Sequence, residues 1–295
     1  MRWREARESD NVDDERGAGP PRLRAGVPLS LGTVGVIVVA SLLLGKNPIE
    51  VLGLLLQNDG APTQMSTDDT GRPAGAGNPA DDENVHFVRA ILGETEDVWG
   101  AVFEQAGREY ERPRLVLFSG AVESACGGAT AATGPFYCSS DRQVYLDLSF
   151  FDEMRARLGG GGDFAYAYVI AHEVGHHVQN LLGVSDRVRR ARERGESLEG
   201  PGGLSVRQEL QADCLAGVWA NRAQARHRWL EAGDVDQALG TASAIGDDRL
   251  QRQARGTVVP DAFTHGTSRQ RVQWFSTGFQ RGDVEACDTF AVESP

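Results

Sequence analysis

The chain has 295 residues, 40% hydrophobic and 24% charged, enough apolar material for a folded core, so wholesale disorder is excluded. Lys plus Arg number 30 against 42 Asp plus Glu, a net charge of −12, and this balance excludes a nucleic-acid partner, which needs a basic face. Four cysteines are too few for a disulfide scaffold and enough for two bridges.

Residues 1–24 carry six Arg and six Asp/Glu and read as a polar cytoplasmic tail. Residues 25–45 (AGVPLSLGTVGVIVVASLLLG) hold no charge across 21 positions, a helix of about 30 Å and the thickness of a bilayer core. A buried core helix or a cleaved signal peptide are the alternatives. The apolar run is longer than signal peptides use, which favours an uncleaved single transmembrane helix. Arg16, Arg22 and Arg24 before it outnumber Lys46 after it, so the positive-inside rule keeps the N-terminus cytoplasmic and places the rest of the chain outside the cytoplasm, at the cell membrane. Residues 46–84, rich in Gly, Pro, Asp and Thr from residue 57 onward, read as a flexible linker. The folded domain is expected over 85–295.

Within it, Phe87, Ile91, Leu92, Val98 and Val102 recur at helical spacing and predict a helix over 85–104. Residues 115–118 form a short apolar run between Pro113 and Gly120 and predict a strand. Residues 143–148 (QVYLDL) alternate as a half-buried strand does. Helices are predicted over 150–158, 164–182, 206–227, 235–244 and 268–279. Strands followed by helices without regular alternation indicate an α+β fold.

The chemistry concentrates in the helix over 164–182, which contains His172-Glu173-Val174-Gly175-His176. Residues four apart share a helix face, so both imidazoles can reach one Zn²⁺, and Glu173 beside the first can take a proton from water. Alone this pattern is weakly specific. It is strengthened by its apolar setting, where two imidazoles and a carboxylate without partners would be costly. Gly175 weakens the helix by about 1 kcal/mol relative to Ala, which a close backbone approach would explain. His177 points elsewhere round the helix and reads as a packing residue. A third ligand is needed, and Glu209 with Asp213, again four apart in QELQADC, presents two carboxylates on one helical face. Glu209 is assigned as ligand, and Asp213 as the group that holds the outer N–H of a ligand histidine.

HEVGHHVQ followed by ELQADCLAG resembles the family of bacterial proteins named "putative neutral zinc metallopeptidase", whose members are similar to gluzincins. The resemblance implies a zincin-like fold, a zinc ion and proteolysis. It extends through residues 126–151, 244–251 and 263–275, from about residue 84 to about residue 290. His172, Glu173, His176 and Glu209 match residue for residue.

Four cysteines allow three pairings. Proximity favours Cys126–Cys138, which leaves Cys214–Cys287 by elimination. No C-x-x-C spacing supports a cysteine zinc site. Two functions are open. One is a membrane-anchored zinc peptidase acting on peptides or proteins, with the strand at 143–148 as the edge beside which substrate pairs. His265, in FTHGTS, is then a candidate catalytic oxyanion stabiliser, with Tyr137 and Tyr145 as rivals. The other is a zinc-stabilised binding or scaffold domain at the cell surface. The intact Glu173 favours the peptidase.

Overall fold

The computed structural model describes residues 1–17, 82–157 and 161–295. The apolar stretch 25–45 and nearly all of the 46–84 linker lie outside the described residues. Among the described residues no helix is long and apolar enough to cross a membrane.

The architecture is α+β. In chain order the elements are β1 (Val12–Asp14), α1 (Glu83–Gln105), β2 (Arg114–Phe118), β3 (Ala121–Ser124), β4 (Gly127–Thr130), β5 (Phe136–Cys138), β6 (Gln143–Asp147) and α2 (Ser149–Arg157). They continue with α3 (Asp163–Leu181), α4 (Val184–Glu193), α5 (Leu204–His227), α6 (Asp234–Ala244), α7 (Asp247–Arg255) and α8 (Ser268–Arg281). The main sheet runs β1-β2-β6-β5, with β3 and β4 as a separate hairpin. β1 and β6 both pair with β2 in parallel, and β5 closes the sheet antiparallel to β6.

Strand alternation sorts the sheet's side chains into two cores. Leu115, Leu117, Val144 and Leu146 join the large helical core, and Val116, Phe118 and Tyr145 pack with Val122 and Cys138 on the other face. The reading of 143–148 as half-buried is therefore corrected: the sheet is covered on both faces, and Tyr145 and Asp147 are buried. Asp147 is tolerated inside because its carboxylate accepts the Gly120 and Ser149 amides at 2.8 and 3.0 Å. β6 is also an inner strand, so the free edge beside the helices is β5, not 143–148.

A second correction concerns the expected tail over 1–24: its described part, residues 1–17, is not apart from the domain. Met1–Gly17 packs on it, with Trp3 and Val12 in the large core and β1 as the edge strand opposite β5. Its polar sequence hid this. Only Val12 of Val12–Asp14 is buried, and Asp13 pairs with Arg114 through Nε at 2.7 Å.

α3 and α5 form the heart of the helical layer. Gly175 explains itself here: a Cβ would stand 3.0 Å from the Ala212 carbonyl oxygen and 3.3 Å from its Cα, so only glycine lets the two backbones approach this closely. α8 crosses α5 with Gly278 against the Cys214 carbonyl, where a Cβ would come within 1.9 Å.

Trp3 is buried, lies edge-on to Phe87 at 5.3 Å between ring centroids, and donates through Nε1 to Asp163 at 2.9 Å. Trp3→Ala should therefore destabilise the domain by about 3–5 kcal/mol, the usual range for a buried aromatic. Denaturant unfolding checks this. A separate tail would leave the midpoint unchanged.

Candidate active site

The middle of α3 carries His172, Glu173 and His176, and the facing turn of α5 carries Glu209 and Asp213. Glu209 Oε2 lies 3.2 Å from His172 Nε2 and 3.4 Å from His176 Nε2. Two ligand atoms each about 2.0–2.1 Å from a tetrahedral zinc stand roughly 3.3–3.4 Å apart, so this N,N,O set fits a zinc ion. Among the described residues, these three form the one group of histidine, cysteine or acidic side chains with converging donor atoms.

The outer nitrogens of both rings are held. His172 Nδ1 donates to Asp213 Oδ1 at 2.8 Å. His176 Nδ1 donates to Gln179 Oε1 at 2.9 Å, and the Gln179 amide is fixed in turn by the Gln208 carbonyl and Gln211 Oε1 at 2.7 and 3.0 Å. With Nδ1 used in each ring, Nε2 is the nitrogen that faces Glu209 in both.

Asp213 is fully buried and has further partners. Arg271 of α8 grips it twice, Nε to Oδ2 at 2.8 Å and Nη2 to Oδ1 at 2.9 Å, and the Tyr168 hydroxyl donates to Oδ1 at 2.5 Å. Burial alone would raise the Asp213 pKa, and Arg271 with His172 outweighs it, holding the carboxyl well below its ordinary range. Burial likewise disfavours a charged His172, but Asp213 overrides this and lifts the ring to about 10. Glu173 is different. It makes no hydrogen bond among the described residues, and burial raises its pKa, so its carboxyl is more basic than a free one.

These groups floor a cleft of about 500 Å³ lined also by Phe136, Tyr137, Phe150, Arg192, Gln208 and His265. His177 is a packing residue. It donates from Nε2 to the Glu111 carbonyl at 2.7 Å and accepts the Tyr137 hydroxyl at Nδ1, 3.0 Å away. Tyr137 also accepts from Asn180 Nδ2 at 3.0 Å, which fastens β5 along α3 at the cleft wall. Tyr145 is not in the cleft: its ring stacks on Phe136 at 4.8 Å and its hydroxyl donates to Asp141.

His265 does reach the cleft, half-exposed. Its loop is clamped by Asp247, whose Oδ2 accepts the amides of Thr264, His265 and Gly266 at 2.7, 2.7 and 3.0 Å. The Asp247 carboxylate also raises the His265 pKa above its usual value.

The bridges join Cys126 to Cys138 and Cys214 to Cys287. The first ties the end of β5 to the β3–β4 turn. The second fixes the C-terminal turn Val284–Cys287 to α5 beside Asp213. Sequence reasoning missed Arg271, Tyr168, Gln179 and Asp247. All four act through another residue, and no spacing rule marks such residues in one sequence.

Removing one partner of a buried ion pair costs about 3–5 kcal/mol because the other charge is stranded. Asp213→Asn should lower stability by that amount and weaken zinc about 10–100-fold. The double variant Asp213→Asn with Arg271→Met should recover most of the stability but not the affinity. Calorimetry and competitive zinc titration check both. Equal recovery of affinity would mean that Asp213 does not orient His172.

The sequence pattern of the family described as "Putative neutral zinc metallopeptidase" matches residues 1–290. The match begins at the first residue, not near residue 84, and so takes in the docked N-terminal segment. The chain is similar to YpfJ of Escherichia coli strain K12, with 47% identity over 98% of this chain and 99% of the relative. It is also similar to Rv2575 of Mycobacterium tuberculosis strain H37Rv, with 43% identity over 70% of this chain and 71% of the relative. Neither relative's name states an activity, and no solved structure matches. With a family pattern covering nearly its whole length, the chain belongs to the putative neutral zinc metallopeptidase family.

Proposed function

We propose that the chain is a zinc-dependent peptidase that hydrolyses peptide bonds outside the cytoplasm. One observation carries this reading: two imidazole nitrogens and a carboxylate oxygen converge on the floor of an open cleft, beside a Glu173 carboxylate that makes no hydrogen bond among the described residues. His172, His176 and Glu209 would hold the ion. When bound, zinc supplies Lewis acidity toward the carbonyl oxygen of the substrate.

The protein's own groups do the rest. Glu173 accepts a proton from the attacking water and returns it to the leaving amine as the C–N bond breaks. His265, at the cleft wall, donates a hydrogen bond to the substrate oxygen as it gains charge. Substrate would lie along β5, whose outer side pairs with no strand among the described residues, so its backbone groups can pair with an extended peptide. The anchoring of β5 by Tyr137 and by the Cys126–Cys138 bridge keeps that edge in place. Two disulfides with no free cysteine favour an oxidising compartment outside the cytoplasm.

Two tests follow from these roles. Glu173→Gln keeps the side chain's shape and removes the base, so cleavage of a peptide library should fall about 10²–10⁴-fold with stoichiometric zinc retained. A wild-type protein that holds zinc and cleaves nothing would refute the peptidase. For His265, a raised pKa means that the protonated, donating ring persists to higher pH and is lost as pH rises through that value. Asp247→Asn keeps an oxygen for the loop amides and removes the charge. It should move the alkaline limb of the kcat/KM profile to lower pH. An unmoved limb would remove His265 from the reaction.

A further inference from the structure

The docking of residues 1–17 has a consequence for how the chain meets a membrane. Residues 1–17 and the described residues from 82 onward belong to one compact unit. The N-terminal segment is held there at several independent points. β1 is hydrogen-bonded into the sheet in the register Val12↔Leu115, Asp13↔Val116, Asp14↔Leu117, with Leu115 N donating to the Asn11 carbonyl at 2.9 Å and Glu15 N to the Leu117 carbonyl at 2.8 Å. Glu96 of α1 is buried and takes its hydrogen bonds from the segment: Ser9 Oγ at 2.6 Å, Asn11 Nδ2 at 2.6 Å and Arg7 Nη2 at 2.8 Å. Without residues 7–11 this carboxylate would lose every one of these partners. α1 is also shaped to receive the segment. At Gly93 a Cβ would lie 2.3 Å from the Arg7 carbonyl oxygen, so any other residue would push the segment away. Finally, Arg16 Nη1 donates to Asp82 Oδ2 at 2.7 Å, which sets residues 16 and 82 side by side.

We propose that residues 1–17 occupy the same compartment as the domain, so that residues 18–81 begin and end on one face of any bilayer they meet. A strand cannot pair with β2 through about 30 Å of hydrocarbon, so the topology with a cytoplasmic N-terminus and a domain on the opposite side is incompatible with β1. A second full crossing would have to come from residues 46–81. The longest charge-free apolar run there is 51–56 (VLGLLL), six residues where about 20 are needed. The pairing of β1 with β2 is therefore at odds with a single span between the two ends.

The test uses the full chain in its native cells. Glu5 and Asp236 are both exposed, and their side chains make no hydrogen bond among the described residues. Glu5→Cys and Asp236→Cys are made separately and treated with a membrane-impermeant maleimide before and after lysis. Both sites should react under the same condition. Reaction of both in intact cells supports the proposal together with the extracytoplasmic reading. Reaction of both only after lysis supports the proposal and overturns that reading. Reaction of Asp236→Cys in intact cells with Glu5→Cys protected until lysis overturns the proposal. Wild-type amide exchange in lipid nanodiscs guards against misfolded variants. Val12–Asp14 amides should exchange as slowly as those of β2, and exchange at the free-peptide rate would equally overturn it.

Discussion

The fully buried carboxylate of Asp213 holds the site together. It lies where α3, α5 and α8 meet and accepts from His172, Tyr168 and Arg271 at once. A charge in that position is affordable only with several donors, and each donor comes from a helix whose position the metal site needs. The Arg271 fork sets α8 against α5, and the His172 contact fixes the ring so that Nε2 meets Glu209. Glycine at 175 and at 278 lets the helices come close enough for those distances. Stability and ligand geometry thus rest on the same carboxylate, and the two effects separate only when Arg271 is changed with it.

The sheet serves the same site from outside. Its edges differ in use: β1 closes one, and β5 is left free at the cleft. The chain's own N-terminus covers β2 at the far edge and leaves there only the three-residue β1, a strand too short to invite association. The near edge is held rigidly by Tyr137, which bonds to His177 and Asn180. His177 thereby has a purpose beside the two ligand histidines. It joins the cleft wall to the helix that forms the cleft floor.

Much of this could be read from the sequence, for physical reasons. Helices with dense apolar periodicity, such as α1, α3 and α5, are found within one or two residues of their predicted ends. His172, Glu173, His176 and Glu209 were legible because helical period converts a four-residue spacing into a shared face. α4 and α7 were not legible. VSDRVRRARE buries only Val188 and Ala191, and DDRLQRQAR leaves its one leucine exposed, so neither carries a periodic apolar signal. β1 and β5, at three residues each, are too short for alternation to show. The choice of edge strand failed because alternation reports on faces and says nothing about lateral neighbours. The N-terminal segment was misread because its charges looked solvated, whereas Arg7 and Arg16 have carboxylate partners on the domain side, at Glu96 and Asp82.

In the proposed peptidase α3 and α5 together hold one zinc ion with two imidazoles and one carboxylate, leaving a position open. X-ray absorption at the zinc edge of the purified full-length protein measures this directly. Four or five nitrogen or oxygen neighbours near 2.0–2.1 Å are expected, with outer-shell scattering from two imidazoles and none from sulfur. A shell containing sulfur, or three or more imidazoles, would contradict it.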